Sequence, residues 1–274
     1  MAVIEKKRIP KRTKIISGVM VGLVLLMAVS YVGAGAYIYN RISATSALCG
    51  TNTDDHDNTP SNFRYTDRAL DPAPYQMPVY EDVSFPSRNT PNITIDAWFV
   101  PVENSADAPV VILVHGLGSC KGSEHILTAA GMLHRNGFNT LMIDLRDHGD
   151  STVEDGRFAG GTDEYLDVLG AWDWLVNERG FAPERIGLFG QSLGAATVMI
   201  ATGVEQRVAA VWEDSSYGDI NVAIQAELTR YGFPTFFASS ATVMGQVLAN
   251  DNIGQYSPLE AARNLNGRPI YITH

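Results

Sequence analysis

The longest hydrophobic run of the chain lies near its start, where residues 15–40 carry no charge. At about 1.5 Å of rise per residue, a helix of this length exceeds the roughly 30 Å of a bilayer's hydrocarbon core. A cleaved signal peptide is the alternative, with Ala34 and Ala36 as an A-x-A site. The run is, however, longer than the usual apolar region of about 7 to 15 residues in such a signal. We therefore predict a transmembrane helix over residues 15–40.

Charges around this helix predict its orientation. Residues 1–14 hold six Lys or Arg and one Glu, so they form a basic tail that is expected to stay in the cytoplasm. Everything after Arg41 is then extracytoplasmic, in a single-pass arrangement. Three tyrosines near the outer end of the helix, Tyr31, Tyr37 and Tyr39, suit an interfacial aromatic belt.

The remainder of the chain divides into a polar stretch and a patterned one. Residues 41–77 are rich in Ser, Thr, Asn, Asp and Pro without apolar periodicity, which is typical of a tether. Residues 78–274 form the predicted domain, in which apolar runs of strand length alternate with helix-like segments; the runs are PVVILVHG, NTLMIDL, RIGLFG, VAAVWED and RPIYIT. This alternation predicts an α/β fold, a mostly parallel sheet with helices on both faces and ligands at the carboxyl ends of its strands.

Residues 216–256 are too many for a plain connection between two strands. DINVAIQAELTRYG and PTFFASSATVMGQVLAN each have a helical pattern with several apolar side chains. We predict that they form a cap over the ligand site, whose apolar lining would favour acyl or hydrophobic groups. The alternative is that their aromatic residues belong to the ordinary core.

Composition excludes several function classes. The net charge of −10 contains +5 from the first fourteen residues, so the rest carries −15 and repels the phosphates of a nucleic acid. Two cysteines, Cys49 and Cys120, are too few for a disulfide framework, and a single bond between them stays open. No spacing typical of metal ligands occurs. We therefore expect no metal, no cofactor and no nucleic-acid partner.

One serine stands where a buried strand gives way to a small-residue helix, in the pentapeptide GQSLG. A nucleophile on such a tight turn has a strained backbone, and bulky side chains two residues before or after it would clash. Gly190 and Gly194 occupy those two positions. The sequence predicts that Ser192 is an exposed nucleophile; the alternative is a serine that merely caps the helix.

Acyl transfer to a serine also needs N–H donors for the oxyanion. The amide of Leu193, directly after the nucleophile, is the first candidate. The amide of Leu117, in the glycine-containing loop after PVVILV, is the second. We interpret His115, at the start of this loop, as a residue that orders it rather than as the catalytic base.

Three motifs in this order and spacing resemble the α/β-hydrolase superfamily, and its membrane-anchored, serine-aminopeptidase-like or esterase-like members above all. They are HGLGS at 115–119, DLRDHGDS at 144–151 and GQSLGA at 190–195. The likeness covers roughly residues 78–274 and is specific for the superfamily but not for a substrate. It implies that DLRDHGDS is a structural loop, held by hydrogen bonds of Asp144, Arg146 and His148.

The resemblance also implies the chain order serine, acid, histidine, with the acid after the seventh strand and the histidine after the eighth. RPIYITH matches the seventh strand, so the acid and the base are expected beyond residue 274, together with a last strand and helix. Asp214 is a candidate for an alternative acid, although Glu213 and Asp214 are expected rather to line the cleft or to cap the next segment. Only His274 among the histidines follows Ser192.

The predicted function is that of a serine hydrolase, which cleaves ester, amide or small peptide bonds through an acyl-serine. Its partners are a small-molecule or peptide substrate and the membrane. Because serine without a base is a weak nucleophile, we expect residues 1–274 alone to be nearly inert. A membrane-anchored binding domain without catalytic activity is the alternative.

Overall fold

A seven-stranded sheet forms the centre of the computed structural model, which describes residues 11–45, 49, 57–66, 69–249 and 253–274. Its strands, in the spatial order β1-β2-β4-β3-β5-β6-β7, are β1 (Glu81–Ser87), β2 (Thr90–Val100), β3 (Val110–Val114), β4 (Asn139–Ile143), β5 (Ile186–Gln191), β6 (Val211–Asp214) and β7 (Ile270–Thr273). β1 and β2 form an antiparallel hairpin, β2 pairs antiparallel with β4, and the remaining pairs are parallel. The predicted mostly parallel sheet is confirmed.

Seven α-helices accompany the sheet in the described residues, and all except α1 lie in connections between its parallel strands. The helices are α1 (Lys11–Ser43), α2 (Glu124–Arg135), α3 (Tyr165–Asn177), α4 (Leu193–Val204), α5 (Ile220–Arg230), α6 (Phe237–Leu248) and α7 (Pro258–Arg263). α3 and α4 pack on one face, where Trp172 and Val198 belong to the main core cluster. α2 packs on the other face, where Ile126 and Leu127 belong to a second cluster. Parallel strands are buried on both faces in this way, which explains their continuous apolar runs.

Part of the predicted tether contributes to the core. Phe63 and Met77 are each 1% exposed and lie in the cluster beside α2. A disulfide bond joins Cys49 to Cys120, the pairing that the sequence left open. The segment after α1 is therefore attached to the domain at several described points. The domain boundaries predicted from the sequence stay a prediction.

α1 is long and apolar enough to cross a membrane, as predicted, and it continues three residues beyond the predicted end at residue 40. Its side chains are exposed up to about Val32, but Ile38 and Tyr39 are buried against α5 and α6. Tyr39 is thus no part of an interfacial belt, because Gly245 of α6 leaves room for its ring inside this cluster. The first ten residues of the predicted basic tail lie outside the described part of the chain.

Candidate active site

Ser192 lies at the turn from β5 to α4, with φ +53° and ψ −116°. A positive φ is strained for a residue with a side chain, and such strain is concentrated at functional sites. The N–H of Ser192 donates a 2.8 Å hydrogen bond to the carbonyl oxygen of Asp214 at the end of β6, which fixes the turn to the sheet. The side chain of Ser192 is exposed. These are the geometric features predicted for a nucleophile on a tight turn.

Small residues make this turn sterically feasible. A Cβ on Gly190 would overlap the carbonyl group of Gly194, and a Cβ on Gly194 would overlap the carbonyl oxygens of Val114 and His115. The loop after β3 also approaches closely, since a Cβ on Gly116 would lie 3.2 Å from the Cβ of Ser192. Glycine at these positions therefore brings the β3 loop, the turn and the start of α4 together.

Leu117 and Leu193, whose amides were predicted as oxyanion donors, both line the same cavity as Ser192. Leu193 is the first residue of α4, so its N–H points away from the helix at the positive end of the helix dipole. Within the described residues, no acceptor takes the N–H of either Leu117 or Leu193. Two residues whose amides have no hydrogen-bond acceptor therefore line the cavity together with Ser192. Their role as donors stays a prediction.

His115 and His148 hold the loop that carries Leu117. Nδ1 of His115 donates to the carbonyl of Gly116 at 2.8 Å, and its Nε2 accepts from the N–H of Leu145 at 3.1 Å. Nε2 of His148 accepts from the N–H of Gly118 at 3.2 Å. Both imidazoles are fully buried, and burial lowers the pKa of each, so both are neutral near pH 7. This arrangement agrees with the interpretation of both histidines as loop-ordering residues.

Lys121 fastens the far end of the same loop. Its Nζ lies 2.6 Å from Asp144, 2.7 Å from Asp150 and 2.9 Å from Asp96, and its N–H donates to Asp144 as well. Burial alone would lower the pKa of Lys121, but the three carboxylates outweigh it and raise the pKa. These acids could form a metal-binding group by their spacing, yet the ammonium occupies their centre. The cluster is therefore a structural clamp.

The DLRDHGDS loop is held by hydrogen bonds and an ion pair to the segments around it. Arg146 is buried and forms an ion pair with Asp167 of α3 at 2.8 Å. Asp147, at φ +61°, accepts hydrogen bonds from the three consecutive amides of residues 154–156 through one carboxylate oxygen. The loop therefore presents His148 to Gly118 from a rigid base.

The carboxylate of Asp214, the candidate alternative acid, lies beside β7. It accepts hydrogen bonds from the hydroxyls of Thr273 at 3.0 Å and Ser215 at 3.3 Å. Asp214 is half-buried and does not line the cavity, whereas its main chain supports Ser192. No histidine in the described part of the chain lines this cavity. The role of Asp214 as an acid stays a prediction.

A cavity of about 420 Å³ opens above Ser192. Its lining is largely apolar and comes mainly from the β3 loop, from α5 and from the end of α1. The apolar lining residues include Leu117, Phe158, Ile220, Ala223 and Ile224. Its volume is typical of small-molecule sites. Helices were predicted at residues 216–256, and α5 and α6 lie there.

Sequence reasoning missed the part of this cavity that is formed by the end of α1. Arg41, Ile42 and Ala44 line it, although they belong to or directly follow a helix that was predicted to be separated from the domain by a tether. The sequence feature that belongs to this contact is Gly35, which fits against α6. It was indistinguishable from the other glycines of the apolar run.

Comparisons with known proteins agree with this geometry. The model of the α/β-hydrolase fold family matches residues 109–262. An Escherichia coli protein of 31.7 kDa from the traX-finO intergenic region is 28% identical over 139 residues, which are 50% of this chain and 47% of that protein. The thiohydrolase aneE of Aspergillus aculeatus is 30% identical over 104 residues, covering 38% of this chain and 32% of that protein.

Among solved structures, the esterase Pf2001 of Pyrococcus furiosus superposes with a TM-score of 0.53 at 21% identity, covering 78% of this chain and 76% of the esterase. This likeness shows the fold alone. The chain spans less than half of the length of each of these two curated relatives. Because the family model covers more than half of the chain, the chain belongs to the α/β-hydrolase family.

Proposed function

We propose that the protein is a serine hydrolase that cleaves ester, amide or small peptide bonds through an acyl-serine at Ser192. The observation that carries the proposal is the strained backbone of this exposed serine at the floor of a largely apolar cavity. Membership of a hydrolase family supports it, as does the likeness to an esterase and a thiohydrolase. An apolar cavity with a single reactive hydroxyl suits acyl groups.

In the proposed reaction, Oγ of Ser192 attacks the substrate carbonyl and its proton passes to a base. The oxyanion accepts hydrogen bonds from the amides of Leu117 and Leu193, each worth about 3 kcal/mol of barrier. The leaving group departs with a proton, and water then hydrolyses the acyl-serine. The resemblance predicts the acid and the histidine after β7 in chain order, and Asp214 remains a candidate for the acid.

The proposal includes a location. α1 serves as an uncleaved signal anchor with its basic flank in the cytoplasm, which places the hydrolase domain outside it. The disulfide between Cys49 and Cys120 supports this orientation, because such bonds persist in oxidising, extracytoplasmic compartments. The partners of the domain are the membrane and a small-molecule or peptide substrate.

Replacement of the nucleophile tests the proposal. In the intact protein, Ser192→Ala should abolish both hydrolysis of a p-nitrophenyl ester and covalent labelling by a fluorophosphonate. Ser61→Ala, a serine that does not line the cavity, is the matched control and should retain both. Unchanged turnover in Ser192→Ala would remove this residue from the mechanism.

A second candidate function is a non-catalytic domain that binds a ligand in the same cavity. The absence of a histidine from the cavity lining, within the described residues, favours it. Such a domain would bind an acyl ester without labelling by the fluorophosphonate. Its affinity would be the same in the protein with Ser192 and in Ser192→Ala.

A further inference from the structure

α1 and α6 pack side by side and run in the same direction. Tyr31 contacts Phe236 and Phe237 at the start of α6, with ring centroids 6.2 and 5.7 Å apart. Gly35 lies against Ser240 one turn later, and Tyr39 lies against Gly245 beyond that. The hydroxyl of Tyr31 also donates to the carbonyl of Phe236 at 3.1 Å. Successive turns of α6 therefore contact successive turns of α1.

The exposed part of α1 sets where the bilayer lies. Apolar side chains are exposed from Ile15 to Val32, and burial against the domain begins just after. These eighteen residues span roughly 27 Å, which is close to the thickness of the hydrocarbon core. Tyr31 therefore lies at its outer boundary. The residues after Val32 lie in the headgroup layer and above it.

Two exposed aromatic residues of the domain lie beside this boundary. Phe236 is 61% exposed although it stacks on Tyr31, and Phe233 in the preceding loop is 40% exposed. Large aromatic side chains in contact with water are costly, whereas aromatic rings are favoured in the interfacial layer of a bilayer. Val243 continues the exposed apolar surface along α6. The apolar surface of the anchor is therefore continuous with that of the domain.

The cavity that Ser192 lines is also bounded by α1. Two of its walls are α5, with Tyr231 directly after it, and the end of α1 at Arg41 and Ile42. It follows α5 for eleven residues, or roughly 16 Å. At Arg41, whose guanidinium lies 5.9 Å from the ring of Tyr231, the wall of the cavity is the anchor helix itself. A largely apolar cavity that extends along α5 and is bounded by α1 suits a single acyl chain.

We propose that Phe233, Phe236 and the outer end of α1 form a bilayer-docking surface, and that the substrate is a single-chain acyl ester drawn out of the adjacent leaflet along α1 into the cavity, which α1 borders about 14 Å beyond Val32. The substrate class rests on the proposed serine hydrolase function. The docking surface rests only on the packing of α6 against α1. The occupant of the surface is lipid, because the surface continues that of a membrane-spanning helix.

Fluorescence quenching tests the docking surface without reference to activity. Phe236→Trp and the control Val79→Trp, at an exposed site before β1, are placed in nanodiscs with or without brominated acyl chains. We expect the added fluorescence of Phe236→Trp to fall at least twofold with brominated lipid, and that of Val79→Trp to stay unchanged. Equal quenching of both, or of neither, would overturn the proposal.

Kinetics test the route of the substrate. The double variant Phe233→Glu, Phe236→Glu and the control Val79→Glu are compared on a long-chain acyl ester in nanodiscs and on water-soluble p-nitrophenyl acetate. We expect the double variant to lose at least tenfold on the long-chain ester and less than twofold on the acetate, with no loss in the control. An equal loss on both esters, or on neither, would overturn entry from the bilayer. If the parent hydrolyses neither ester, the proposed function fails, while the quenching result still decides the docking surface.

Discussion

Gly35 of α1 lies so close to Ser240 of α6 that any Cβ on Gly35 would overlap the serine side chain. Ser240 in turn donates a 2.9 Å hydrogen bond to the carbonyl of Tyr31. Small residues that let two backbones approach are typical of helix pairs in membranes. This contact joins α1 directly to α6 of the hydrolase domain.

Gly35→Leu should force α1 and α6 apart, because the overlap involves the backbone of Ser240 as well as its side chain. We expect a loss of about 1–3 kcal/mol in the free energy of unfolding, as for other overpacked sites. Gly33→Leu is the matched control, since a Cβ there meets nothing within 4 Å. Thermal unfolding in one detergent compares the two. Similar melting temperatures would show that the helix contact contributes little.

Gly194→Ala should disturb the turn at Ser192, because the new methyl group would overlap the carbonyl oxygens of Val114 and His115. The expected cost is about 1–3 kcal/mol of stability, with a loss of activity larger than the loss of folded protein. Gly187→Ala in β5 is the control, as its nearest neighbour lies 3.6 Å away. Denaturation midpoints and fluorophosphonate labelling measure both effects. Full labelling of Gly194→Ala would contradict the assigned geometry.

The stability of the protein should depend on pH through His148. Burial lowers the pKa of His148 in the native state, so below its ordinary value of 6.5 the unfolded chain binds a proton that the folded protein does not. The contribution of this group to the free energy of unfolding therefore falls as the pH decreases below 6.5. His148→Gln retains an acceptor for the N–H of Gly118 but cannot titrate, so its stability should fall less steeply with decreasing pH.

Comparison of parent and variant isolates this effect. Burial raises the pKa of Glu164 to about 7, so the folded protein holds a proton that the unfolded chain releases between pH 4.5 and 7. Glu164 consequently makes the protein more stable as the pH falls through 7, in the opposite sense to His148. It is present in both proteins and cancels in the difference. Parallel stability curves between pH 7.5 and 5 would exclude the proposed role of His148.

Reduction of the bond between Cys49 and Cys120 should destabilise the domain. The bond closes a loop with a sequence separation of 71, for which chain entropy predicts about 4 kcal/mol, and typical measured values are about 2–4 kcal/mol. The melting temperature should fall in reductant. The variant Cys49→Ser, Cys120→Ser should have the lower value with or without reductant. An unchanged melting temperature of the parent protein in reductant would contradict this prediction.

The sheet could be predicted from the sequence because parallel strands are buried on both faces, which makes their apolar runs continuous. Ser192 could be located because the turn requires Gly190 and Gly194 nearby in sequence, so the signal is local. The same holds for the glycines of the β3 loop. Local steric requirements therefore account for the position of Ser192, the turn and one side of the cavity.

The contacts of α1 could not be predicted, because they depend on the match between two helices about 200 residues apart. Tyr39 and Ile38 have the same apolar character as the exposed residues before them in α1, so hydropathy does not distinguish the buried from the exposed part of this helix. The pairing of Cys49 with Cys120 was open for a similar reason, since spacing carries no information on a distance across the fold.

In the proposed arrangement, in which α1 is both membrane anchor and cavity wall, this helix restricts how the protein encounters its substrate. A catalytic domain on a flexible tether samples a large volume of solution above the membrane. A domain fixed to a rigid helix instead moves parallel to the membrane at a constant height. Encounters then depend on lateral diffusion and on the number of substrate molecules per unit of membrane area. Dilution of the surrounding aqueous phase should leave them unchanged.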